Sequence, residues 1–168
     1  PVVTPMVFRA FESENLESLE FGLKSDFFNG KARANIAVFS YDYENLQFQA
    51  TDPDPYRGGV ANIPNSEMDG VEIEFTALLG DSITFDMNLG FIDTEVTSEY
   101  EVLDNVLAYQ YFLDEEQERY DLREDVKGNM LAKTPEFTAD ATLTYEGELA
   151  SGNPINVILQ FIRRGEFM

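Results

Sequence analysis

The sequence predicts an all-β fold: an antiparallel up-and-down meander of about six long strands, an arc of a large transmembrane β-barrel. Three observations point there. Apolar and polar residues alternate with period two over stretches of roughly ten residues, the length a tilted strand needs to cross a bilayer. The connections between these stretches run short, long, short, long, short. No second sheet or amphipathic helix of matching area is offered to cover the apolar face, so lipid is its best partner.

The clearest stretch is Met68 to Glu95. In its first half Val71, Ile73, Phe75 and Ala77 share one face, and Glu72, Glu74 and Thr76 the other. In its second half Ile83, Phe85, Met87, Leu89 and Phe91 oppose Thr84, Asp86, Asn88 and Gly90. Successive side chains on a strand point to opposite sides, so this is a hairpin with one apolar and one polar face, joined at Gly80-Asp81.

Taken in order, strands are expected at about 17–27, 31–43, 68–79, 82–95, 134–146 and 155–164. The first sets Leu19, Phe21 and Leu23 against Glu20, Gly22 and Lys24, and ends at Asn29-Gly30, a short-turn signal. In the second, Ala32, Ala34, Ile36 and Val38 oppose Lys31, Arg33 and Asn35. Phe39, Tyr41 and Tyr43 then bring aromatics to the formerly polar face, either plugging the interior or turned outward by a bulge. The fifth sets Phe137, Ala139, Ala141, Leu143 and Tyr145 against Thr138, Asp140, Thr142 and Thr144. The sixth carries Val157, Leu159 and Phe161 opposite Asn156, Gln160 and Arg164.

Two long connections, about 44–67 and 96–131, are expected as outer loops, because such barrels keep short turns on the periplasmic side. The second is strongly acidic, and Leu103, Val106, Leu107 and Tyr111 recur in it at helical spacing, which predicts a short surface helix.

Composition narrows the function. The 168 residues carry a formal net charge of −21, from 11 Lys and Arg against 32 Asp and Glu. Nucleic-acid binders need a basic footprint, so that class is excluded. With no cysteine and no histidine, thiol chemistry, Cys-ligated zinc and the commonest general base are absent. No catalytic residue, cofactor or metal site is expected. No apolar run is long enough for a membrane helix, which does not count against a barrel.

Several motifs occur in a specific order: Leu19-Glu20-Phe21-Gly22-Leu23-Lys24-Ser25 with Phe27-Phe28-Asn29-Gly30, the run from Ala37 to Gln47, Gly70-Val71-Glu72-Ile73-Glu74, Leu89 to Thr94, and Thr134-Pro135-Glu136-Phe137. In these the chain resembles part of the barrel of a TonB-dependent outer-membrane receptor, over about residues 14–164. The resemblance implies a Gram-negative outer-membrane protein whose barrel is filled by a plug domain. It also implies import of a small, scarce ligand (a siderophore, cobalamin or a glycan) with energy relayed by TonB. No plug, TonB-contacting segment or closing C-terminal strand is visible, so the chain is expected to be an excerpt. A passive porin and a secreted acidic β domain are the alternatives.

Glu20, Lys24, Glu72, Glu74, Asp86 and Asn88 are the expected lumen-lining residues. Glu72 and Glu74 could be read as a glycosidase-like carboxylate pair, but no pocket separates their roles, and a polar lining fits better. Tyr56, Arg57, Tyr109 and Tyr111 are the ligand-contact candidates in the outer loops, since aromatics and Arg carry binding energy disproportionately. Asp52 and Asp54 offer clustered oxygens to calcium, but without an EF-hand's offsets.

Overall fold

A computed structural model describes residues 10–53, 56–104, 106–107, 109 and 122–166. Among the described residues eight strands form: β1 (Asn15–Phe27), β2 (Ala32–Pro53), β3 (Tyr56–Leu78), β4 (Ile83–Val96), β5 (Glu101–Leu103), β6 (Arg123–Asp125), β7 (Phe137–Glu148) and β8 (Pro154–Arg164). Six make one sheet in the order β1-β2-β3-β4-β7-β8, and β5 pairs with β6 separately. Each of the six follows its neighbour, so the sheet is a meander, as the alternating pattern predicts.

The chain divides into two compact units. One holds residues 18–40, 68–94 and 131–168. Its turns are tight. Gly30 N–H donates to Phe27 O (3.1 Å), and Phe28 and Asn29 have φ of 54° and 59°. The first turn therefore centres on Phe28-Asn29, one residue earlier than the Asn29-Gly30 signal. Register follows side-chain faces and not turn residues alone: Arg33 meets Asp26 across the hairpin at 2.7 Å. Phe28 takes the left-handed backbone conformation that a bulky residue disfavours. At the second turn Leu79 N–H donates to Ile83 O, with Gly80 left-handed at φ 81°. At the third, Leu149 N–H donates to Asn153 O.

β4 and β7 pair from Ile83↔Tyr145 to Phe91↔Phe137, so the apolar faces of both strands coincide. β7 and β8 continue that face through Leu143↔Leu159 and Ala141↔Phe161. β7 starts at Phe137, three residues later than expected, because Pro135 has no N–H to give to a ladder. No described residue of this unit covers the apolar stripe: Phe21 is 76% exposed and Leu159 64%. In a soluble sheet these side chains would be the core. Burying each from water is worth about 1.5–3 kcal/mol, so a stripe left bare demands lipid.

The other unit holds residues 1–17, 41–67 and 95–130. Here the expected outer loop at 44–67 is largely strand: β2 runs to Pro53 and β3 starts at Tyr56. The physical reason is local. Asn45 has φ 57°, which marks a bulge in the middle of β2 and lets pairing resume beyond it. Asn62 secures the irregular step, its Nδ2 donating to Asn45 O at 2.6 Å and to Glu12 O at 3.1 Å. Glu12 N–H in turn donates to Asn62 Oδ1.

The second long connection contains the β5–β6 pair, too short to leave a periodic signal. Leu103 lies in β5, not in the expected helix. Helical residues are found at 106–107 and 109, where Asp104 Oδ1 accepts from Val106 N–H (2.6 Å) and Leu107 N–H (3.0 Å). That is an N-cap, which satisfies two of the amides a helix start leaves unpaired.

Candidate functional site

The polar face of the 18–40, 68–94 and 131–168 unit gathers chemistry from four neighbouring strands. Asn35 on β2 donates from Nδ2 to Glu74 Oε2 on β3 at 2.9 Å. Thr76 on β3 donates from Oγ1 to Asp86 Oδ1 on β4 at 2.8 Å. Asn88 on β4 donates from Nδ2 to both carboxylate oxygens of Asp140 on β7, at 3.1 and 3.2 Å. Antiparallel register explains the set: Asn88 lies directly opposite Asp140, and the alternation places all six side chains on one face.

The donors are amides and a hydroxyl. A neutral donor orients a carboxylate without ion-pairing it, so Glu74, Asp86 and Asp140 are held in place with no salt-bridge partner among the described residues. Asn35 Oδ1 is buried and has no hydrogen-bond partner among the described residues, a further unspent acceptor on this face. Arg33 lies two residues from Asn35, but its guanidinium is committed to Asp26 through Nε at 2.7 Å.

Two glycines shape the surface. A Cβ at Gly70 would meet Phe39, with two of the ring's carbons only 2.7 and 2.9 Å away. Gly70 alternates with Glu72 and Glu74, so the Phe39 ring lies on the polar face, taking the inner of the two positions its sequence left open. It is buried there. At Gly90 a Cβ would stand 2.7 Å from Thr138 Oγ1, across the β4–β7 ladder.

The structure thus brings Glu74, Asp86 and Asn88 into one polar face, with Glu72 exposed beside them on β3. Glu20 and Lys24 lie exposed on β1, apart from the hydrogen-bonded set. Asn35, Thr76 and Asp140 complete the set; the alternation places them on the polar faces of β2, β3 and β7, but nothing in one strand's sequence marks them as partners of the site residues. Among the ligand-contact candidates, Tyr109 is exposed beside the capped helical turn. Tyr111, Asp54 and the side chains of Tyr56, Arg57 and Asp52 lie outside the described residues.

Outside the membrane-scale strands, Asp125 ends β6. Its Oδ1 accepts from Tyr100 N–H at 2.9 Å and from Lys127 N–H at 3.1 Å. These backbone bonds, Tyr100 first, hold its pKa below the usual carboxylate range, helped by the charge of Lys127.

Residues 4–166 match the family described as TonB dependent receptor-like, beta-barrel. The chain belongs to the TonB-dependent receptor family. These receptors are non-enzymatic transporters of the Gram-negative outer membrane, and the bare apolar stripe is therefore the lipid-facing wall of a barrel. Among solved structures, this TonB-dependent receptor segment is similar to the siderophore receptor PiuA from Acinetobacter baumannii. Identity is 18% and TM-score 0.52, over 86% of this chain and 21% of that one, which supports the fold alone. The chain thus spans about a fifth of the receptor it matches. Membership sets aside both the glycosidase-like reading of Glu72 and Glu74 and the secreted soluble domain.

Proposed function

We propose that this chain forms part of the wall and capture surface of a receptor that imports a scarce small ligand across the outer membrane, driven by energy relayed through TonB. The single observation that carries the reading is the polar face of Glu74, Asp86 and Asp140, each held by a neutral donor and none ion-paired among the described residues. A face that only lined water would gain little from such fixation. A face that must grip and release a movable plug gains register and charge at once, because paired charges across an interface fix orientation. In this reading Glu20, Lys24, Glu72, Glu74, Asp86 and Asn88 face the lumen, and cationic side chains of the plug meet the carboxylates. Tyr56, Arg57, Tyr109 and Tyr111 are the residues proposed to touch ligand outside.

Among siderophores, cobalamin and glycans, a ferric siderophore is the class to test first, because the receptor this chain resembles in fold is described as a siderophore receptor. The test is uptake of radiolabelled ferric siderophore by cells with and without the gene. Gene-dependent uptake that stops when a protonophore collapses the inner-membrane gradient supports the proposal. Gene-dependent uptake that continues without the gradient would replace it with a passive porin.

A further inference from the structure

The three tight turns of the 18–40, 68–94 and 131–168 unit each expose large apolar side chains: Phe27 and Phe28 at the first, Leu78 and Leu79 at the second, Leu149 at the third. A turn that stands in water is ordinarily built of Gly, Asn, Asp and Ser. Phe28 departs furthest from that rule. It is 81% exposed, more than any other large apolar side chain among the described residues. It also lies in the left-handed region at φ 54°, followed by Asn29 at 59° and Gly30 at 82°. Asn and Gly take that conformation readily, and an aromatic residue does not. Strain at an exposed position is a reason to ask what the side chain does there.

The height of the apolar band says where these turns lie. On the lipid-facing side of β3, Asp69 is followed by Val71, Ile73, Phe75, Ala77 and Leu79, so ten residue steps separate the nearest charge from the turn. On β4 the same interval runs from Asp93 back to Ile83. Ten steps of about 3.3 Å, tilted by about 40°, span a height of about 25 Å. That is the full height of the apolar band on an outer-membrane barrel. The turns therefore fall at the edge of the hydrocarbon and not in the water beyond it.

From this juxtaposition we propose that the turns, Phe28 foremost, are seated in the glycerol and phosphate layer of the nearer membrane leaflet and fix the depth of the wall. In the orientation given above that leaflet is the periplasmic one, which presents glycerophospholipids. The apolar turn residues are continuous with the lipid-facing stripe. Beside Phe28 stands Lys31, exposed, with its N–H donating to Phe28 O at 3.3 Å and its ammonium in no salt bridge among the described residues. A cation at that height suits the phosphate that every glycerophospholipid carries, and barrels place aromatic rings in the same layer. The proposal rests on the membrane placement of this unit and not on what the receptor imports.

The experiment is spin-label depth measurement on the receptor that carries this chain, folded into vesicles of ethanolamine and glycerol phospholipids. A nitroxide on Phe28→Cys is expected about 12–20 Å from the bilayer centre, between the edge of the hydrocarbon and the outer limit of the head groups. One on Phe75→Cys, higher on β3, is expected within about 5 Å of the centre. A label at position 28 that lies beyond the head groups and collides freely with a water-soluble nickel complex would overturn the proposal, and would leave the tip free for a periplasmic protein. A label at position 75 in water would bring down the membrane placement, and the proposal with it. Phe28→Asn then reads the role of the ring. Asn takes the left-handed turn with little strain, so a ring without lipid contact would be replaced with a gain in stability. Seating in the leaflet predicts the opposite, a lower urea midpoint in vesicles for a variant that keeps the heat-dependent gel mobility of a closed barrel. A raised or unchanged midpoint would overturn the proposal. Uptake measurements read import alone, so failure here and failure of the transport reading are separate outcomes.

Discussion

The ring of Phe39 occupies the space that a side chain at Gly70 would need. Phe39 is on β2 and Gly70 on β3, and the pair lies on the same face as Glu72 and Glu74. Any Cβ at position 70 would fall within the ring's contact distance, so the two residues are one packing unit.

Gly70→Ala is therefore expected to destabilise the sheet by about 1–3 kcal/mol, the usual cost of forcing atoms into a filled site. Phe39→Ala in the same chain should recover most of that loss, because it removes the obstacle. Urea unfolding in lipid vesicles, run as a double-mutant cycle, measures the coupling. Additive effects of the two changes would show that the ring moves aside freely.

The hydrogen-bonded polar face makes a second prediction. Thr76→Val leaves Asp86 without its hydroxyl donor and should cost about 1 kcal/mol of stability, with no change in charge. Glu74→Gln keeps size and hydrogen-bonding capacity but removes charge. It should leave stability within about 0.5 kcal/mol, as exposed polar changes do, while energised uptake falls several-fold and ligand binding at the cell surface persists. Uptake equal to the unaltered receptor would remove Glu74 from the plug-facing role.

Asp125 sets a pH dependence outside the membrane. Its folded-state pKa is lowered, so the stability it lends the β5–β6 pair is fully present above the usual carboxylate range. It is lost as pH falls below about 4 toward the depressed folded value. Amide protection factors at Tyr100 and Lys127 should fall together across that window. Asp125→Asn should lower protection at neutral pH and flatten the profile. A profile unchanged by the substitution would assign the loss to other carboxylates.

Topology is open to direct labelling. A single cysteine at Gly58 should react with a membrane-impermeant maleimide on intact cells. One at Gly80 or Gly152, each in a tight turn with positive φ, should react only after the outer membrane is opened. The reversed pattern would invert the orientation of the barrel.

Much of this was legible in the residues. A period of two needs no tertiary information: once Val71, Ile73 and Phe75 alternate with Glu72, Glu74 and Thr76, one face is apolar and the other polar whatever the strands pair with. Lengths near ten residues and the segregation of short and long connections carried the step to a membrane barrel, and the ordered motifs carried the step to the family. The short turns showed themselves through Asn29-Gly30 and Gly80-Asp81, although register moved the first by one residue.

What only the tertiary structure decided lies between strands. Whether Phe39 turned inward depended on finding Gly70 opposite it, a residue 31 positions away. The extension of β2 and β3 through a Pro- and Gly-rich stretch depended on the Asn45 bulge and its tie to Asn62, a bond no local propensity encodes. The partners of Glu74, Asp86 and Asn88 were likewise hidden. A single strand's sequence states which face each side chain takes; register alone states whom it meets, because pairing energy is shared across two strands distant in the chain.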